Sequence, residues 1–317
     1  MVGDAHIHLA ALSEGRAIAE HAAARGCRVL AVSCTPAEYE RSVAMLSGCA
    51  GALPALGLHP WDLARASEEE AELLLGAFER CARALAWGQA PSRKDASRVG
   101  TGPAGADDST RGDRTRNLHA SRAGCEGTGP VTPCGARVGT GPGRDTRPVR
   151  GQALFGEVGL DFYGSFAESR ELQVRAFERV CAVASECGGV MSLHTRGAED
   201  EALQVLADSG AADACTCILH GFYGGGAPLA RALELGCLFS LGPRQMATRR
   251  GRAYAAQLPA ERILIETDAD GSAPQRDPSP GQWEHQIEEL VQNLNIIRMK
   301  SERDLIEENW RRVFGDG

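Results

Sequence analysis

Short apolar runs recur along this chain, and most of them stop on a histidine or an acid. Ala153 to Val158 carries Glu157 and breaks on Gly159, while Leu53 to His59, Val190 to His194, Thr216 to His220 and Ile263 to Asp268 each deliver such a residue at their ends. A run of this length bounded by turn residues reads as a buried parallel strand opening into a loop. Adding the opening Gly3 to His8, Arg28 to Ser33 and Cys237 to Leu241 gives eight strands, the sixth and eighth read as Thr216 to Leu219 and Arg262 to Glu266. Helical patterns lie between them: Leu12 to Arg25 with Ser13 as its expected N-cap, Pro36 to Ser47, a helix opening on the capping box Ser67 to Glu70, Phe166 to Cys187, Ala198 to Ala207, Ala227 to Leu235 and Met246 to Gln257. Gln282 to Ile297 and Glu302 to Val313 close the chain. Strand and helix alternating eight times predicts an α/β fold, a (β/α)8 TIM-type barrel, over an open sheet.

The alternation breaks once. Residues 88–152 hold Gly, Pro, Arg, Ser and Thr with almost no large apolar side chains, and Gly-Thr-Gly-Pro recurs at Gly100, Gly127 and Gly139. Such a composition cannot bury enough surface to offset the entropy of ordering it. The reading is one barrel over residues 1–317, interrupted between the third helix and fourth strand by a low-complexity, disordered insertion. That insertion has 11 Lys plus Arg against 6 Asp plus Glu in a chain of net charge −8, which leaves the barrel strongly acidic. A basic arm could touch nucleic acid; a tolerated insertion or a translated non-coding repeat is the blander reading. No apolar run approaches membrane-spanning length, and Asp4, His6 and His8 interrupt the region a secretory leader would need. The 11 cysteines are odd in number and lack framework spacing, so a reduced, cytoplasmic setting is expected, with Cys215 and Cys217 as core packing.

In a barrel the C-terminal ends of the strands converge on one pocket. His6 and His8 stand two apart on the first strand and lean to one side, as two imidazoles on one divalent ion must. A lone His-x-His would say little. Here Glu157, His194, His220 and Asp268 join it from the ends of strands four, five, six and eight. Six nitrogen and oxygen donors exceed what one catalytic zinc takes and suit two ions sharing a carboxylate. Without a cysteine in the set, Mg²⁺, Mn²⁺ or Zn²⁺ is favoured over a thiolate metal. Two ions about 4 Å apart can clamp the attacking and leaving oxygens of a phosphate ester, so hydrolysis is the expected chemistry.

The runs Asp4-Ala5-His6-Ile7-His8, Gly57-Leu58-His59-Pro60, Gly156-Glu157-Val158-Gly159-Leu160-Asp161, His194-Thr195-Arg196, His220-Gly221-Phe222 and Glu266-Thr267-Asp268 stand in the order seen in the TatD family of metal-dependent deoxyribonucleases. The resemblance spans the chain outside the insertion. It implies that His6, His8 and Asp268 hold one ion, that His194 and His220 hold the other, and that Glu157 bridges them. Asp268 is then the expected general base. His59 and Arg196 are expected at substrate phosphate, Arg for its fork of donors; a structural loop pair is the alternative. Asp161 could orient a ligand histidine or cap its loop. Glu266 reads as a buried structural acid, and His21, His119 and His285 as surface or packing residues.

The resemblance has one gap. After Asp268 the family commonly places an early proline and a later Asn-x-Pro, whereas this chain reads Ala269-Asp270-Gly271-Ser272-Ala273-Pro274 with no Asn-x-Pro. Substrate choice is therefore open. DNA is the expected substrate, although a pI near 5.6 argues against broad electrostatic binding to it. Another ester or amide, such as a tRNA-linked carboxyl ester or a lactone, would suit the same metals, and a non-catalytic metal-binding scaffold is the third reading. No obligate protein partner is evident.

Overall fold

A computed structural model describes residues 1–86 and 152–315. The expected insertion, apart from Gln152, and His119 within it lie outside the described residues. Nine strands are described: β1 (Asp4–Ile7), β2 (Val29–Ala31), β3 (Ala52–Pro54), β4 (Leu56–Leu58), β5 (Leu154–Asp161), β6 (Gly189–Arg196), β7 (Cys215–His220), β8 (Leu238–Leu241) and β9 (Ile263–Ile265). Every pairing is parallel, in the orders β1-β2-β3 and β4-β5-β6-β7-β8-β9. The expected third strand is split at Ala55, whose N–H still donates to Ala31 O at 2.9 Å, so β3 and β4 are halves of one stave. Eight staves result, and the fold is the expected barrel.

Two seams complete it. Asp268 N–H donates to His6 O (3.0 Å) and His8 N–H to Ala269 O (2.9 Å), joining the last stave to the first. The buried Asp4 carboxylate reinforces this seam: it accepts from the Thr267 N–H at 3.0 Å, the Thr267 hydroxyl at 2.6 Å and the Trp283 indole at 2.9 Å. Beyond β2, Ser33 exchanges two hydrogen bonds of 2.8 Å with Gly156 O and Glu157 N. That exchange needs Gly57, because a Cβ there would stand 1.4 Å from Ser33 O.

The barrel interior is filled by Ala5, Leu30, Ala55, Val190, Ile218, Leu238 and Leu264, one from nearly every stave. Trp310 and Phe314 of the last helix (Arg303–Phe314) pack into the same cluster and plug the end away from the histidines. The larger cluster lies between the staves and the helices outside them. Cys215 and Cys217 are buried free thiols, as expected.

The helices depart from the sequence reading in detail. Helix α1 (Gly15–Ala24) starts later than expected, with Glu14 at the N-cap; Ser13 instead binds Asp277 through its N–H (2.9 Å) and hydroxyl (3.1 Å). The Ser67–Glu70 capping box forms as expected at the start of α2 (Glu68–Ala86), which leads toward the insertion. The expected Met246 to Gln257 helix breaks in two at Thr248, whose hydroxyl accepts from Gly251 N–H and starts the second piece, Arg249–Gln257. Short helices at Pro60–Arg65 and Ala211–Ala214 had too few residues to leave a periodic signature. No helix among the described residues is long and apolar enough to cross a membrane.

Candidate metal centre

Glu157 is 3% exposed and sits among five imidazoles. Its Oε2 faces His6 Nε2 at 3.5 Å and His8 Nε2 at 3.4 Å. Its Oε1 faces His194 Nδ1 at 2.7 Å, His220 Nε2 at 2.9 Å and His59 Nε2 at 3.1 Å. Each oxygen thus serves a different set of rings, and each ring comes from a different strand end except the His6–His8 pair. Asp268 completes the β1 side, its Oδ1 4.0 Å from His8 Nε2. The structure brings together all six residues expected as ligands, and His59, expected at the substrate, lies in their midst.

The rings are fixed from behind. His6 Nδ1 lies 2.8 Å from Ser192 Oγ, which turns Nε2 inward. His194 Nε2 lies 3.0 Å from Asp161 Oδ2, and the Trp61 indole donates to that same oxygen at 2.6 Å. His220 Nδ1 faces Glu266 Oε1 at 3.5 Å, while Glu266 itself accepts from Gly221 N–H (3.1 Å) and the Ser240 hydroxyl. Carboxylates and hydroxyls behind ligand imidazoles fix tautomer and orientation. His59 is buried; its Nδ1 accepts the Trp61 N–H at 3.1 Å, capping the Pro60–Arg65 helix, so only Nε2 turns toward the cluster. Arg196 stands outside the cluster, its guanidinium 3.9 Å over the Tyr163 ring. His21 pairs with Glu284 at 2.7 Å on the helical layer, far from this chemistry.

Electrostatics follow from the crowding. Burial alone would raise the Glu157 carboxyl, but the neighbouring His59, His220 and His194 override it and hold the group well below the usual carboxylate range. Burial also works against ionised Asp268, yet His220, Arg276, His6 and Arg244 bring it down to about 2. His6 is held below the ordinary imidazole range by burial and by the charge of His220, whose ring stacks on it at 3.9 Å. The buried His6 Nε2 has no hydrogen-bond partner among the described residues. An imidazole nitrogen aimed at a carboxylate yet left unsatisfied is costly unless a cation completes it. Among the described residues four groups of mutually close donor atoms arise: His6, His8 and Glu157; His59, Glu157 and His194; His6, His220 and Glu266; and His8, Cys34 and Glu38. The donor set fits divalent cations.

Several participants were not anticipated. Arg276 donates to the Asp268 carbonyl, lies 3.2 Å from its carboxylate and binds Asp270 at 2.6 Å, so it pins the loop that departs from the family pattern. This support holds Asp268 at a φ of 52°, a region that a non-glycine residue adopts at a cost. Arg244 reaches within 3.7 Å of Asp268 Oδ2 from an otherwise exposed position. An arginine in a polar loop carries no periodic signal. Ser192 was legible in principle, since it precedes His194 by two on one strand face.

A profile described as TatD related DNase matches residues 3–90 and 151–315. The chain belongs to that family. The matched segments leave 91–150 uncovered, so the break in the sequence pattern is also a break in the family alignment. Among curated TatD relatives, the chain is 35% identical over 133 residues to "3'-5' ssDNA/RNA exonuclease TatD" of Klebsiella pneumoniae, covering 39% of this chain and 48% of that one. It is 31% identical over 176 residues to the Dickeya dadantii protein of the same name, covering 51% and 64%. To human "Deoxyribonuclease TATDN3" it is 26% identical over 163 residues, covering 50% and 58%. The matches thus span about half to two thirds of these relatives. The fold is that of the TatD homolog YJJV from Escherichia coli, with a TM-score of 0.67 at 18% identity, covering 100% of this chain and 98% of the other. A TatD family hydrolase from Entamoeba histolytica gives 0.62 at 12%, covering 99% and 98%.

Proposed function

We propose that the protein is a metal-dependent phosphodiesterase, a deoxyribonuclease, that uses two divalent ions, Mg²⁺, Mn²⁺ or Zn²⁺, to activate the hydrolytic water. The observation carrying this reading is the division of Glu157: one carboxylate oxygen faces His6 and His8, the other His194 and His220. A carboxylate shared in this way suits a bridge between two cations. His6, His8 and Asp268 would hold one ion, His194 and His220 the other. Bound divalent ions supply Lewis acidity at the phosphoryl oxygens and lower the pKa of the hydrolytic water. Asp268 stays ionised through the working pH range, orients the attacking water and takes its proton. His59 and Arg196 are the proposed substrate contacts, and Arg244, beside Asp268, adds a second guanidinium for the phosphate.

The names of the relatives support nucleic acid as the substrate class, and single-stranded DNA is the first substrate to offer. The test is cleavage of a short single strand by chelator-stripped protein titrated with each metal, with Glu157→Ala alongside. Cleavage restored by metal and absent from the variant is the expected result. Metal bound at two equivalents without DNA cleavage would sink the nuclease reading.

A further inference from the structure

We propose that Tyr163 and Arg196 form a stacking platform for the unpaired nucleobase beside the scissile phosphate; this rests on the nuclease reading above. Strands β5 and β6 continue past their metal-site residues, with Asp161 in register opposite Arg196, and Phe162 N–H donates to Arg196 O at 2.9 Å. The two extensions form a short ledge at the rim of the site. Tyr163 stands on it with 59% of its surface exposed, the one aromatic among the strongly exposed large hydrophobic side chains of the described residues. Arg196 lies over its ring at 3.9 Å. A guanidinium on a phenol leaves further flat faces toward solvent, and flat faces beside a cation bind any base without reading its identity.

The ledge is rigidly tied to the metal centre. Tyr163 N–H donates to Asp161 Oδ1 at 2.8 Å; the other oxygen of Asp161 holds His194 at 3.0 Å; His194 reaches Glu157 at 2.7 Å. Buried Gln173 bonds both the N–H (2.8 Å) and the carbonyl (2.9 Å) of Asp161, which leaves the ledge little freedom to swing. A ring whose backbone is anchored to Asp161, and which Arg196 covers, can place one base and thereby its phosphate. In a duplex that base is stacked and paired, so the platform serves strands whose bases can splay out.

The experiment compares the metal-loaded full chain, Tyr163→Ala and Tyr163→Phe on two single-stranded oligonucleotides, one with a normal base beside the scissile bond and one abasic there. Tyr163→Ala is expected to raise KM for the normal strand about 5- to 100-fold, the range typical of one lost base–aromatic stack, with a far smaller change in kcat. Tyr163→Phe should restore the wild-type KM, and the abasic strand should respond to neither substitution. An unchanged KM in Tyr163→Ala, or an equal loss on both strands, would overturn the platform alone. A wild-type protein that takes up metal and cleaves neither strand would remove the nuclease reading and the platform with it. Because the ring is exposed, melting curves of the variants should superimpose on wild type, separating a binding defect from misfolding.

Discussion

At the scale of single residues, the centre depends on one carboxylate divided among rings from different strands. Glu157→Ala is expected to abolish metal-restored hydrolysis while leaving the far-UV circular dichroism spectrum intact, since Glu157 faces imidazoles and not core packing. Asp268→Asn keeps the shape but not the basicity, and kcat should fall about 10²- to 10⁴-fold, the usual worth of a positioned acid–base group. Ser192→Ala removes the partner of His6 Nδ1 and should weaken metal binding about 10- to 100-fold in a chelator competition assay, leaving stoichiometry unchanged. Protons compete with metal for the histidines, so apparent metal affinity should rise with pH; a flat profile between pH 5 and 8 would contradict imidazole ligation. The gathering of the six expected ligands was legible because most stand at or near the end of an apolar run, and strand ends converge in a barrel. The partners behind them were mostly not: Arg276 and Arg244 reach Asp268 through loops whose path no local pattern encodes. His59 was legible as a site residue, but its burial against Glu157 depends on how the Pro60–Arg65 helix turns.

At the scale of elements, alternation of apolar runs with helical patterns disclosed the staves, and chain breaks disclosed less. The third stave reads as one run yet is paired as two, β3 to β2 and β4 to β5, with Gly57 as the residue that lets Ser33 reach across. Gly57→Ala would drive its Cβ into the Ser33 backbone, so a loss of about 3 kcal/mol or more is expected in urea denaturation, at the upper end for overpacking. Gly76, within helix α2, gives the contrast. A Cβ there meets only the far end of Arg80 at 3.4 Å, so Gly76→Ala should stabilise by about 0.5–1 kcal/mol through helix propensity. The expected N-cap at Ser13 failed for a tertiary reason: Asp277, distant in sequence, takes its hydroxyl and N–H. Local capping signals cannot foresee such a competitor.

At the scale of the molecule, the barrel is closed by polar groups as much as by its filled interior. Asp4 accepts four hydrogen bonds, from the N–H groups of His6 and Thr267, the Thr267 hydroxyl and the Trp283 indole. Asp4→Asn would set an amide NH₂ against buried donors, and a loss of about 2–4 kcal/mol is expected, visible as a lower midpoint of thermal unfolding. The same seam has a consequence for how the chain is made. Asp4 leaves the ribosome 263 residues before Thr267 and 279 before Trp283. Until those residues emerge the first stave waits with its carboxylate unmatched, and the candidate metal centre stays open on the side of His6 and His8. The segment from Thr267 to Trp283 carries both the proposed ligand Asp268 and the means of shutting the ring, so a nascent chain should gain metal affinity and resistance to proteolysis together, once that segment has emerged.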